Sequence, residues 1–93
     1  MISVCIATYN GEKFIKQQLT SILEQLAPAD EIIVSDDNSK DNTRNIIEEL
    51  NDNRIKIIDG PGMGSPTKNF EQALKHAKGD YIFLADQDDE WKE

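Results

Sequence analysis

Asp86, Asp88 and Asp89 put three acids into four residues directly after the apolar run Tyr81-Ile82-Phe83-Leu84-Ala85. Side chains two apart in extended backbone share a face, so Asp86 and Asp88 aim to one side. A second acidic pair, Asp36-Asp37, follows Glu31-Ile32-Ile33-Val34-Ser35. Two carboxylates about 4 Å apart repel by about 4 kcal/mol at an effective dielectric of about 20, so such a cluster either splays into water or gains a cation. The suitable cation is Mg²⁺ or Mn²⁺, which takes oxygen ligands, keeps several waters, and is commonly shared between one or two carboxylates and the phosphates of a substrate. At Asp36-Asp37 turn chemistry competes with this reading, because Asp caps helices and bonds its own backbone. The Asp86 to Asp89 run exceeds any capping need and carries the metal expectation.

Other chemistry has little to work with. Cys5 is the single cysteine, so neither an internal disulfide nor a thiolate zinc site is available within one chain. It lies among Ile2, Val4 and Ile6 and reads as a small core residue. His76, also single, sits late in a helical pattern and reads as a solvated side chain. The segment Gly60-Pro61-Gly62-Met63-Gly64 matches neither the Walker spacing nor the dinucleotide fingerprint. Lys68 is placed either to neutralise a diphosphate or simply to be solvated. Tyr9 could stack on a base or act as a lid on the core.

These groups matter only where the chain brings them together. Ile2 to Ala7 is short, rich in β-branched residues and closed by Thr8-Tyr9-Asn10-Gly11, which predicts a buried strand and a turn. From Glu12 to Leu26, Ile15, Leu19, Ile22 and Leu26 recur at helical spacing, with Phe14 and Leu23 widening the stripe. Glu31 to Ser35 is a second strand. Ser39 or Asp41 can cap a second helix with Ile46, Ile47 and Leu50 on its inner face. Arg54 to Ile58 is a third strand, followed by a Gly/Pro-rich loop. Phe70, Ala73, Leu74 and Ala77 then predict a third helix, with Gly79 suited to a left-handed terminus. Tyr81 to Ala85 is the fourth strand.

The alternation β-α-β-α-β-α-β, with strands that are apolar runs, predicts an α/β fold. It is an open, mostly parallel, Rossmann-like sheet with helices on both faces. Right-handed crossovers bring the C-terminal end of every strand to one edge, where open α/β sheets bind ligands. The turns at Thr8 to Gly11, Asp36 to Ser39 and Asp86 to Asp89 should therefore meet there.

Ninety-three residues make one domain at most. With 38% apolar and 30% charged residues the chain is neither a disordered polyelectrolyte nor a membrane protein. No apolar run approaches a spanning helix, and Met1 leads straight into strand-like sequence, so secretion and membrane spanning lose support. A formal charge of −8 disfavours non-specific binding to nucleic acid or anionic lipid.

Three segments, in order and in register, carry a resemblance. They are Val4-Cys5-Ile6-Ala7-Thr8-Tyr9-Asn10-Gly11, the stretch from Ile33 to Asp41, and the stretch from Gly79 to Asp89. Together they resemble the N-terminal nucleotide-binding half of GT-A family 2 glycosyltransferases, and the likeness covers essentially the whole chain. Tyr-Asn-Gly-Glu-Lys-Phe-Ile and Ala-Asp-Gln-Asp-Asp-Glu-Trp resemble the bacterial rhamnosyltransferase-like members in particular. The resemblance implies an inverting, metal-dependent transferase of bacterial surface glycan synthesis. Its donor would be a UDP- or dTDP-linked sugar and its acceptor a glycan or lipid-linked hydroxyl. Its setting would be cytoplasmic, peripheral to the inner face of the membrane. By the same resemblance Thr8 and Tyr9 line the nucleoside pocket, and Asp37 meets the pyrimidine ring with Asp36 beside it as the second candidate. Lys68 lies near the diphosphate. Asp88 is the direct ligand of Mn²⁺ or Mg²⁺, and Asp86 reaches the sugar, the ribose or a metal-bound water.

Members of that family continue into an acceptor-binding half that carries the general base, whereas this sequence stops at Glu93. Residues 1–93 are therefore expected to be the donor-binding part, inactive alone, with no catalytic base among them. Surfaces that the other half would cover, Trp91 included, should be apolar and exposed, and the chain should self-associate through an edge strand or that face. Two other readings stand beside this one. A phosphoacceptor receiver domain also has a Mg²⁺-binding acidic edge, but it needs its paired acids after the first strand, where Thr8-Tyr9-Asn10 stands. A non-catalytic domain could bind a cation or a basic partner through the same edge.

Overall fold

Val4 and Ile6 face one side of the sheet and Cys5 faces the other, and this alternation sorts the core into two parts. The computed structural model describes residues 1–62 and 64–86. Strands β1 (Ile2–Thr8), β2 (Glu31–Asp36), β3 (Ile55–Asp59) and β4 (Tyr81–Asp86) pair in parallel in the order β3-β2-β1-β4. Helices α1 (Ile15–Leu23) and α2 (Thr43–Leu50) cover the face of Val4, Ile6, Ile32 and Val34, using Ile15, Leu19, Ile22 and Ile47. Helix α3 (Pro66–His76) covers the opposite face, where Ala73 packs on Cys5 and Ile33. The chain runs outward from β1 to β3 and then returns across to β4, so crossovers of one hand put α3 on the other side. The expected α/β parallel sheet with helices on both faces is what forms. Each fully buried Ile, Leu or Val contributes about 1.5–3 kcal/mol relative to exposure.

Several local expectations differ from the structure. Phe14 is 49% exposed and does not widen the stripe of α1, which runs only from Ile15 to Leu23. Leu74 is also exposed. Helix α2 begins at Thr43, and Asp41 accepts from the Thr43 N–H (3.0 Å) and from its hydroxyl; Ser39 bonds elsewhere. Gly79 does not take a left-handed conformation, a role that Asn51 fills at the end of α2 with φ 49°. Gly79 is required by close approach, because a Cβ there would lie 2.6 Å from the Ser3 hydroxyl and 2.9 Å from the Met1 carbonyl oxygen. The buried thiol of Cys5 is pushed up to about 11 by loss of solvent and by nearby Glu31, which makes it an unreactive core group.

Carboxylates pin the end of the sheet remote from the strand C-termini. Asp30 accepts from the backbone N–H of Ile2 and of Ala27, both at 2.8 Å, and these two bonds hold its pKa below the usual value. Burial pushes Glu31 up, but bonds from Ser3 (2.6 Å), the Lys78 N–H (2.8 Å) and Lys56 (3.1 Å) outweigh it and leave it lowered. Bonds from Arg54 lower Asp52. A lowered native pKa gives stability that is complete above the unfolded-state value of about 4 and is lost as pH falls through the native value. The urea midpoint should therefore hold steady from pH 7 to about 5 and drop steeply below about 4. Asp30→Asn should flatten that drop. An unchanged midpoint at pH 3.5 would contradict this account.

Candidate functional site

The parallel register places every strand terminus on one rim. Ala7 of β1 lies beside Ser35 of β2 and Asp86 of β4, and Asp36 lies beside Asp59 of β3. With neighbouring strands about 4.8 Å apart, position 86 stands roughly 10 Å from Ser35 across the sheet. The rim thus joins the turn after β1, the turn after β2, the loop after β3 and the end of β4. An open cleft of about 660 Å³ lies there, lined by Ala7, Thr8, Tyr9, Asp37, Asn38, Lys40, Gly62, Gly64, Ser65, Pro66, Asn69 and Phe70.

The turns after β1 and β2 are laced to each other. Asn10 and Asn38 take φ values of 51° and 61°, which suit Asn in turns. The Asn10 N–H donates to the Ser39 hydroxyl (2.9 Å) and the Asn10 side-chain oxygen accepts from the Lys40 N–H (2.8 Å). Gly11 N–H donates to the Thr43 hydroxyl at 2.8 Å, and the Asp37 N–H donates to the Thr8 carbonyl at 2.9 Å. Thr8, Tyr9 and Asp37 therefore come to the cleft as one rigid group, with the Tyr9 ring half exposed at its mouth.

The two adjacent aspartates have different roles. The Asp36 side chain is fully buried and does not line the cleft. It accepts from the Thr8 hydroxyl (2.8 Å), from the N–H (3.1 Å) and hydroxyl of Ser39, and from Arg44 Nε (3.1 Å). Arg44 also pairs with Asp59, which ties β2 to β3; Asp59 and Asp36 together raise the Arg44 pKa against the opposing effect of burial. Asp37 lines the cleft and accepts from the backbone N–H groups of Gly62 and of Gly64, the latter at 3.0 Å. Both carboxylates thus accept hydrogen bonds from the protein itself.

Of the remaining named residues, Lys68 is exposed in the first turn of α3 and is not among the cleft-lining residues, while Lys40 is. Asn69 is a residue that motif reading passed over. It is 3% exposed, accepts from the Ser35 hydroxyl and donates to the Thr8 carbonyl at 3.3 Å, so it fastens α3 beneath the turn. Its only signal in the sequence is a polar residue on the inner stripe of a helix. Asp86 ends β4 at the rim; Asp88, Asp89 and Trp91 lie outside the described residues. Among the described residues no three His, Cys, Asp or Glu side chains converge to hold a metal. A divalent cation at this rim would rely on the acids at and after the end of β4, and their hard oxygen donors are of the kind Mg²⁺ and Mn²⁺ take.

Comparison with known proteins gives a consistent picture. The family described as Glycosyl transferase family 2 matches residues 3–93. The dTDP-rhamnosyl transferase RfbG of Shigella flexneri is 44% identical over 93 residues, covering 92% of this chain and 32% of the relative. The Escherichia coli UDP-Glc:alpha-D-GlcNAc-diphosphoundecaprenol beta-1,3-glucosyltransferase WfgD is 35% identical over 91 residues, covering 98% of this chain and 36% of the relative. The chain thus spans about a third of the length of these relatives. Among solved structures, S. aureus TarS 1-349 in complex with UDP-GlcNAc superposes with a TM-score of 0.87 at 34% identity, covering 96% of this chain and 27% of that one. The mannosyltransferase PcManGT from Pyrobaculum calidifontis, in complex with GDP-Man and Mn²⁺, superposes with a TM-score of 0.84 at 28% identity, covering 99% and 28%.

Proposed function

The chain belongs to glycosyl transferase family 2, and on that premise we propose that its cleft binds the nucleoside diphosphate of a sugar donor. The observation that carries this reading is the convergence of the Thr8–Tyr9 turn, Asp37 and the end of β4 on one rim around an open cleft. In this reading the Tyr9 ring stacks on the base and the Asp37 carboxylate accepts an N–H from a pyrimidine. Lys40 stands nearer to the cleft than Lys68 and is the better placed of the two to meet a phosphate. Asp88 binds Mn²⁺ or Mg²⁺ directly and Asp86 reaches the ribose, the sugar or a metal-bound water. A bound divalent cation supplies charge neutralisation, both for the donor's approach to an acidic edge and for the departing nucleoside diphosphate. Asp36 keeps Thr8 and the turn after β2 in place without touching the ligand.

RfbG and WfgD, which carry dTDP-rhamnosyl and UDP-Glc in their names, favour a pyrimidine donor, and the diphosphoundecaprenol in the second favours a lipid-linked acceptor in bacterial glycan synthesis. Residues 1–93 are the donor-binding part in this reading; the acceptor site and general base belong to the remainder of an inverting transferase that works at the cytoplasmic face. Calorimetric titration of the chain with UDP and with ADP, each with and without Mn²⁺, tests the proposal. Mn²⁺-dependent binding of UDP in preference to ADP supports it. Equal affinities with and without Mn²⁺, or for the two nucleotides, would count against the metal and base roles respectively.

A further expectation concerns association. β4 is an edge strand with Tyr81, Ile82, Phe83 and Leu84 between 46% and 69% exposed. The other edge, β3, is guarded by Arg54, Lys56 and Asp59 in ion pairs. Two copies joined antiparallel through β4 would set Ile82 opposite Leu84, with Asp80 opposite Asp86 at the two ends of the seam. Sedimentation at rising concentration should show dimers, favoured by salt because each chain carries −8. Leu84→Lys should restore the monomer; a wild-type chain that stays monomeric throughout would refute the pairing.

A further inference from the structure

Asp37 is 5% exposed, and its carboxylate spans two backbone donors in the loop after β3. One oxygen accepts from the Gly62 N–H and the other from the Gly64 N–H at 3.0 Å. Gly62 and Gly64 have φ of +74° and +64°, a region that glycine enters without steric cost, and this turns two N–H groups from alternate residues toward a single side chain. Bonds from N–H groups to an ionised carboxylate are roughly twice as strong as neutral ones, and at this burial water competes with them poorly. The same two glycines line the cleft with Thr8 and Tyr9.

We propose that Asp37 is a positioning residue: its carboxylate holds the Gly62 and Gly64 backbone as a wall of the nucleotide cleft, so that affinity depends on this pair of bonds as well as on any contact with the base. The inference rests on the donor-binding reading above. A carboxylate offers about four lone-pair sites, so two bonds to glycine amides leave room for an N–H from a ligand. Wall and ligand then share one carboxylate and are thermodynamically linked. Whatever factor the glycine bonds add to nucleotide affinity, bound nucleotide must return to the glycine bonds.

The test compares the wild-type chain with Asp37→Asn and Gly64→Ala, using amide hydrogen exchange in the free protein and UDP titration in the presence of Mn²⁺. An amide side chain has one acceptor oxygen, so Asp37→Asn leaves one glycine N–H without its acceptor whichever way the group is turned. Exchange at Gly62 or Gly64 should rise by about tenfold or more, while the amides of Ile6 and Ile33 stay protected. Gly64→Ala leaves every polar ligand-facing atom in place but forces a side chain into φ +64°. It should raise Gly62 exchange and weaken UDP by about five- to tenfold, an effect that loss of a direct base contact does not predict. Bound UDP should slow exchange at both glycines in the wild type. The proposal is overturned if Asp37→Asn leaves both glycine amides as protected as in wild type. It is equally overturned if Gly64→Ala frees the Gly62 amide with UDP affinity unchanged. A wild-type chain that binds no UDP sinks the donor-binding reading, and the proposal with it. The exchange comparison in the free protein then still tells whether Asp37 holds the glycines, which separates the two failures.

Discussion

Asp36→Ala is expected to remove about 3 kcal/mol of folding stability, the largest structural effect of any single carboxylate at the rim. Its side chain is fully buried and accepts from Thr8, Ser39 and Arg44. Truncation orphans the Thr8 hydroxyl, itself 1% exposed, at a desolvation cost of about 1–3 kcal/mol. It also releases the turn at Ser39 and breaks the bridge that Arg44 makes between β2 and Asp59 of β3. Arg44 is 40% exposed and regains water, which keeps the loss below that of a wholly buried pair. A chain of this size has a total stability of about 5–14 kcal/mol, and each kcal/mol is worth about 4–8 °C, so thermal unfolding should move down by at least about 12 °C. Circular dichroism with and without Arg44→Ala in the same background would show non-additive losses, because both substitutions remove one network. A loss below about 1 kcal/mol would mean that the carboxylate does not carry the turn.

Asp88→Ala is expected to lower UDP affinity in Mn²⁺ by about a hundredfold, down to the level seen in EDTA, with unfolding unchanged. The reasoning is electrostatic. At net −8, a nucleoside diphosphate approaching the rim meets repulsion unless a cation intervenes. Asp36 accepts from Thr8, Ser39 and Arg44, and Asp37 is proposed to meet the base rather than the ion. In the proposed reading the acids at and after β4 hold the ion, with Asp88 as its direct ligand. Asp86→Ala should weaken binding less, since its proposed contact is through water, ribose or sugar. Retained Mn²⁺-dependent affinity in Asp88→Ala would move the metal to another ligand set. The contrast between the two experiments separates an aspartate that holds the fold from one that holds the ligand.

The elements and their parallel arrangement were legible in the residues because their signals are local. Ile15, Leu19 and Ile22 recur at helical spacing, and Ile32-Ile33-Val34 is an apolar run suited to a strand covered on both faces. With one hand allowed for the crossovers, that order of elements already brought Thr8, Asp37 and Asp86 to a common rim. The single cysteine likewise left no internal disulfide or thiolate-zinc site within these 93 residues, without any coordinates. Tertiary structure decided which groups are free for chemistry. Asp36 and Asp37 are neighbours of identical type, yet Asp36 is consumed by Thr8, Ser39 and Arg44, whereas Asp37 bonds Gly62 and Gly64 and still lines the cleft. Only the packing of β3 and its loop against β2 separates them. Asn69 beneath Thr8, Lys40 in place of Lys68 in the cleft, and Gly79 pressed against Ser3 are settled in the same way. Each depends on approach between residues about 30 or more apart, or on which way a turn or helix end faces. Burial and register set those approaches, whereas periodicity and motif spacing report on what lies a few residues away.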